Sequence, residues 1–127
     1  MSAVLDAGAL IAIERRDLSV GAVLLVAQRR GIDLVTSSAV VAQVWRGGAT
    51  SGQVNLARIL KGVFQQDLTS DQAREIGALL RDSATGDVVD AHVATITREG
   101  DVLLTSDVED LSHLLSCRGI RAGIQQV

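Results

Sequence analysis

The sequence predicts an α/β fold over residues 1–127, a single domain with a mostly parallel sheet and helices on both faces. Two observations carry this expectation. Short apolar runs that read as buried strands recur along the chain, and one or two helical stretches separate each from the next, so the connections are crossovers. The chain is also the length of one domain: 127 residues, 47% hydrophobic and 21% charged, can bury one core without disulfide or metal staples.

Ala3–Leu5 is a short apolar run ending at Asp6, compatible with a buried parallel strand. Ala7 to about Arg16 is helical in pattern. Leu18–Arg30 forms a second helix, closed by Arg29, Arg30 and Gly31 as a basic last turn and a glycine stop. Asp33–Thr36 reads as the second strand. Ser37 or Ser38 caps a helix running through Val44 and Trp45 to the Gly47–Gly48 break, and a further helix covers about Ser51–Lys61, with Val54, Ile59 and Leu60 as its apolar set. Val63–Leu68 is the third strand. Thr69 or Ser70 caps the next helix, whose Ala73, Ile76, Gly77 and Leu80 fall at i, i+3, i+4, i+7 before Gly86 breaks the chain. Val88–Arg98 is helical along Val89, Val93 and Ile96, Val102–Leu104 is a strand, Val108–Cys117 a helix and Ile120–Val127 a last strand.

Composition excludes several function classes. The single cysteine, Cys117, rules out an internal disulfide framework and any multi-cysteine metal site. One Trp and one Phe make a poor stacking platform for single-stranded nucleic acid. The absence of proline favours helices stopped by glycine. No basic segment precedes an apolar run, and the apolar stretch Ala7–Ile13 is too short to span a bilayer, so the expectation is a soluble cytoplasmic protein with no membrane partner. Charge is uneven: residues 1–66 carry +3 and residues 67–127 carry −6, a surplus of carboxylates that must be solvated, capping or metal-bound.

The acids fall at informative places. Ligands of open α/β sheets bind outside the carboxyl ends of the strands. Asp6 follows the first predicted strand, Asp107 follows the fourth, and Asp90 opens the Val88–Arg98 helix, so three carboxylates can converge on one edge. Asp87-x-x-Asp90 and Asp107-x-x-Asp110 also resemble a helix cap with a third-position acid, worth about 0.3–1 kcal/mol each without any further role. Asp6 is different, because a carboxylate between a buried strand and an apolar helix is costly unless paired or metal-bound. A hard divalent cation, Mg²⁺ or Mn²⁺, suits an all-carboxylate set, and such a centre can activate water and stabilise charge on a phosphate.

The stretch Val4-Leu5-Asp6-Ala7-Gly8-Ala9-Leu10-Ile11-Ala12 resembles the opening of PIN-domain proteins, in particular the VapC toxins of VapBC toxin–antitoxin pairs. Ser37–Val44, Val89-Asp90-Ala91-His92-Val93-Ala94 and Leu103–Leu111 fit the same pattern in the same order, so the resemblance covers essentially the whole chain. It implies a single PIN-like domain and a Mg²⁺- or Mn²⁺-dependent endoribonuclease acting on structured RNA such as transfer or ribosomal RNA. It also implies a homodimer neutralised by a VapB-type antitoxin. Carried over to this sequence, the catalytic, metal-binding acids are Asp6, Asp90 and Asp107, with Asp110 as a fourth candidate. A mean hydropathy of +0.30 with few aromatics agrees with a partly apolar, partner-covered surface.

One position departs from the pattern. Where many PIN domains carry a glutamate, this chain has Gln43, which can offer a carbonyl oxygen but adds no charge and should weaken metal affinity. A catalytically silent PIN domain acting as a protein-interaction module is therefore the rival reading. Arg15, Arg16 and Arg46 are candidates for clamping RNA phosphates or are solvated surface groups. Trp45 is read as a core or interface residue, Cys117 as a small core residue, and Thr105 and Ser106 as orienting Asp107 or capping its helix; His92 and His113 receive no catalytic role. A receiver domain is discarded because the sole lysine, Lys61, lies too early, and no P-loop is present.

Overall fold

The computed structural model describes residues 1–127. In chain order its elements are β1 (Ser2–Leu5), α1 (Ala7–Glu14), α2 (Leu18–Arg29), β2 (Asp33–Ser37), α3 (Ser38–Val44), α4 (Ser51–Leu60), β3 (Val63–Gln66), α5 (Ser70–Ser83), α6 (Val88–Ile96), β4 (Val102–Thr105), α7 (Val108–Arg118) and β5 (Gly123–Gln126). The fold is α/β as the sequence predicts, and the sheet is wholly parallel, in the order β3-β2-β1-β4-β5.

That order follows from the crossovers. The chain steps outward from β1 to β2 to β3, then returns over the sheet to place β4 on the other side of β1. Right-handed crossovers in the two directions lay helices on opposite faces. Accordingly α1 packs with α2 and α4, while α5, α6 and α7 pack with one another; α3 bridges the groups by touching both α1 and α6. The central strands are covered on both sides, and Val4, Leu5, Leu103 and Leu104 are fully buried, which is why they read as unbroken apolar runs. The edge strand β3 is not so covered, and Phe64 is 64% exposed. No helix is long and apolar enough to cross a membrane.

The departures from the sequence reading are local and have identifiable causes. In α4 the buried face is Gln53, Leu56 and Leu60, and Val54 is exposed. Gln53 is taken inside because its amide accepts the N–H groups of Arg46 and Gly47 and donates to the Val44 carbonyl, closing the α3–α4 loop. In α5 the inward stripe is Ile76, Leu79 and Ser83, with Ala73 and Gly77 exposed. That helix ends not at Gly86 but at Ala84, whose φ of 55° supports bonds from Ala84 N–H to Arg81 and from Thr85 N–H to Leu80. Arg16, with φ 58°, ends α1 in the same way. Two strands are shorter than expected. Asp67 leaves the ladder to accept from Ser38 Oγ, and Ile120 N–H turns back to Leu115 to close α7, so β3 stops at Gln66 and β5 starts at Gly123. Trp45 and Cys117 lie at the surface, because α3 buries Val40 and Val44 and α7 buries Leu111, Leu114 and Leu115.

The short helix α6 is held at its carboxyl end from outside. Arg118, at the end of α7, donates through Nη1 to the carbonyls of Ala94 and Thr97, two of the acceptors a helix end leaves unpaired. Arg118→Met keeps the aliphatic stem and removes both bonds, and should lower stability by about 1–3 kcal/mol. A urea midpoint that falls with an unchanged slope is the expected result.

Candidate metal centre

The strand register prepares one polar level at the carboxyl edge. Leu5 pairs with Thr36 on one side and with Leu104 on the other, so the next residues along β2, β1 and β4 are Ser37, Asp6 and Thr105. Here the strand order reverses: β1 leads to α1 on one face and β4 leads to α7 on the other. This is the switch point at which open α/β sheets place their ligands.

Asp6 is the N-cap of α1 and only 2% exposed. Its Oδ1 accepts the Ala7 N–H at 2.7 Å, and its Oδ2 accepts the Thr105 hydroxyl at 2.7 Å. The same Thr105 oxygen accepts the Asp107 N–H at 2.9 Å, so one buried hydroxyl ties the two acid-bearing junctions together. Asp107 stands at the N-cap position of α7, yet its side chain makes no capping bond. Asp90 lies in the first turn of α6, where the capping is done by Asp87, which accepts the Asp90 N–H at 2.9 Å. One carboxylate oxygen each from Asp6, Asp90 and Asp107 lies within 4.8 Å of the others. The three predicted acids therefore meet, running from buried Asp6 through half-buried Asp90 to exposed Asp107.

The electrostatics are those of like charges with no basic side chain among them. Burial raises the Asp6 carboxyl above its ordinary range, against the hydrogen bonds from Thr105 and Ala7, and the charges of Asp107 and Asp87 add to the rise. The Asp90 carboxyl is pushed up to about 7, first by burial and then by the charges of Asp87, Asp6, Asp107 and Asp110. No lysine, arginine or histidine lies within ion-pairing distance of the three; the molecule's one ion pair is the exposed Arg81–Asp82. Two carboxylates at this spacing repel by roughly 3 kcal/mol at an effective dielectric near 20. The amino ends of α1, α6 and α7 all open onto the cluster and offset part of that cost.

The other residues singled out from the sequence fall outside this arrangement. Asp87 is a cap whose charge also acts on Asp90, and Asp110 is an exposed first-turn acid of α7. Gln43 is exposed on α3, the helix that touches both α1 and α6. Arg15 and Arg16 follow the far end of α1, about 12 Å along the axis from Asp6 at 1.5 Å per residue, and are not neighbours of the acids. Arg46 follows α3 and folds back onto the carbonyl of Trp45.

Neither a protein-family model nor a curated protein matches this sequence. What the centre can do is set by its chemistry. Three carboxylates, one from each of Asp6, Asp90 and Asp107, bring hard oxygen donors into one small volume with no basic side chain among them, and such a set can hold a metal ion.

Two features of the site left only faint marks in the sequence. Thr105 is one; the other is Gly8. A Cβ at Gly8 would stand 2.5 Å from Ser106 Oγ and 3.0 Å from the Ser106 nitrogen, so the first turn of α1 and the β4–α7 loop touch where only hydrogen fits. Gly8→Ala should cost about 1–3 kcal/mol by overpacking and push the Asp107 loop outward. Gly21→Ala, in α2 with nothing within 4 Å of the added carbon, should instead stabilise by about 0.5–1 kcal/mol. Thermal unfolding of the two variants checks both signs.

The raised Asp90 carboxyl gives a pH signature. Its ordinary value is 3.8 and its folded value about 7, so between them the folded protein keeps a proton that the unfolded chain releases. Its stabilising contribution is complete below the lower value and is lost as pH rises through the upper one. In metal-free protein, Asp90→Asn should leave the melting temperature nearly unchanged at pH 4 and raise it at pH 8. Parallel shifts at both pH values would contradict the assignment.

Proposed function

We propose that this protein is a Mg²⁺- or Mn²⁺-dependent endoribonuclease of the PIN-domain, VapC-like type, cleaving structured RNA and neutralised by a VapB-type antitoxin. The observation that carries the reading is the convergence of Asp6, Asp90 and Asp107 at the reversal point of a parallel sheet, with no protein cation to balance them. Support comes from the four ordered motifs, which supply the same three acids. A homodimer in the cytoplasm belongs to the same proposal, carried by the motif resemblance.

A divalent cation bound there supplies positive charge that polarises a phosphodiester and activates water. The protein's part is to build the place for it. Asp6 and Asp107 are set at fixed spacing by the Thr105 hydroxyl, and Asp90 completes the set from a separate helix. With its carboxyl pushed up to about 7, Asp90 must give up a proton as the cation binds, so affinity should rise with pH through that range. The three helix amino ends add a field favourable to the phosphate. Without a cation the carboxylates repel an RNA backbone.

Incubation of the purified protein with transfer and ribosomal RNA tests the reading. Cleavage should need Mg²⁺ or Mn²⁺, stop with EDTA, and fall by about 100-fold or more in Asp6→Ala and Asp90→Asn, each of which loses an anionic ligand. Asp87→Asn should change the rate little, because asparagine caps as well as aspartate. Equal losses in the Asp87 and Asp90 variants would reassign the ligand, and cleavage that survives EDTA would end the metal reading. Metal binding without cleavage of any RNA would favour the silent interaction module, for which neutral Gln43 is the one supporting residue.

A further inference from the structure

The Asp90 carboxylate has no hydrogen bond to hold it against burial and the like charges around it. Its position is set by the way α6 sits. Two residues along that helix, His92 is fully buried and bonded at both ring nitrogens. Nδ1 lies 2.6 Å from Ser37 Oγ, and Nε2 lies 3.0 Å from Gln72 Oε1. The hydrogens can be assigned from the partners. Gln72 Oε1 only accepts, and it also takes the Thr69 N–H, so Nε2 carries the proton. Ser37 Oγ already accepts from Ala39 and Val40, so its single hydrogen goes to Nδ1. The ring is neutral, and each of its bonds has one direction.

We propose that His92 is a positioning residue for the acidic centre: through Ser37 it fixes the height and rotation of α6 against the strand level that holds Asp6. This rests on reading that centre as a metal site. Ser37 occupies the register position beside Asp6, so the imidazole ties the helix bearing Asp90 to the strand adjoining β1 at the level where the cation would bind. Side chains two apart on a helix diverge by about 200°, so a ring held inward sets Asp90 on the opposite side of the axis. The same bonds reach the first turns of α3, capped by Ser37, and of α5, where Gln72 completes a capping box with Thr69. Apolar packing alone would bury the position as well, but it would allow rotation that two short directional bonds do not.

The test uses His92→Leu and His92→Gln, with Leu60→Ala as a core truncation near the other edge of the sheet. Mn²⁺ affinity is measured by calorimetry at a temperature where every variant is folded by circular dichroism, and metal-free crystal structures are determined. His92→Leu should weaken Mn²⁺ binding by about 10–100-fold, His92→Gln should recover part of the loss through its amide, and Leu60→Ala should bind as the wild type does. Affinity within twofold of wild type in His92→Leu, or an equal loss in Leu60→Ala, would overturn the proposal. Should His92→Leu not fold, His92→Gln carries the comparison, and wild-type affinity in that variant together with an unmoved α6 would overturn it. If wild-type protein binds no Mn²⁺, the metal reading falls, and the structures decide the positioning separately. Asp90 leaving the 4.8 Å cluster in the metal-free variant upholds it, and Asp90 staying in place refutes it.

Discussion

Mutual repulsion among three carboxylates is the constraint around which this molecule is arranged. Left to relax, Asp6, Asp90 and Asp107 would separate and solvate. They stay together because each is mounted at the start of a different helix, and those helices are fixed by a core that has little freedom to yield. The buried threonine between Asp6 and Asp107, the glycine contact with Ser106 and the anchoring of α6 by His92 and Arg118 all oppose the same relaxation. The elevated Asp90 carboxyl reflects its burial first and the neighbouring acids second.

Much of this was legible in the sequence, for a physical reason. A central parallel strand covered on both faces must be apolar throughout, so an aspartate directly after it is conspicuous. Asp6 directly after Val4–Leu5 stands out on those grounds, and Asp107 follows Leu103–Leu104 at one remove, past Thr105 and Ser106. Asp90 was harder, since an acid in a first helical turn is ordinary. The motif resemblance points to Asp90 rather than Asp87, and the structure supplies a physical reason: Asp87 spends its carboxylate on the cap. Asp107 reverses the expectation: it sits where a cap belongs and makes no cap bond, which leaves its oxygens free.

What the sequence did not reveal is tertiary in origin. Helix ends marked by glycine could be read, but Arg16 and Ala84 adopt the left-handed conformation without glycine, and nothing in their side chains announces it. The buried Gln53 reads as a surface residue until its three bonds to the α3–α4 loop are seen. His92 looks like a lone histidine in an apolar helix. Its partners, Ser37 and Gln72, lie 55 and 20 residues away, and neither is recognisable as a partner from spacing.

The Thr105–Asp6 hydrogen bond joins residues 99 apart in sequence. Strand β1 is the first element of the chain, yet its second neighbour, β4, comes after six intervening helices. A chain growing on the ribosome at about 5–20 residues per second therefore carries Asp6 for several seconds before Asp107 exists to oppose it. During that interval the apolar flank of β1 is open, and the acidic centre is absent. Contacts this distant also close slowly, because loop entropy is spent before the pairing repays it. Synthesis thus imposes a delay of its own: nascent fragments ending before β4 lack Asp107, and the centre is complete only once the fourth strand and the residues after it have joined the sheet.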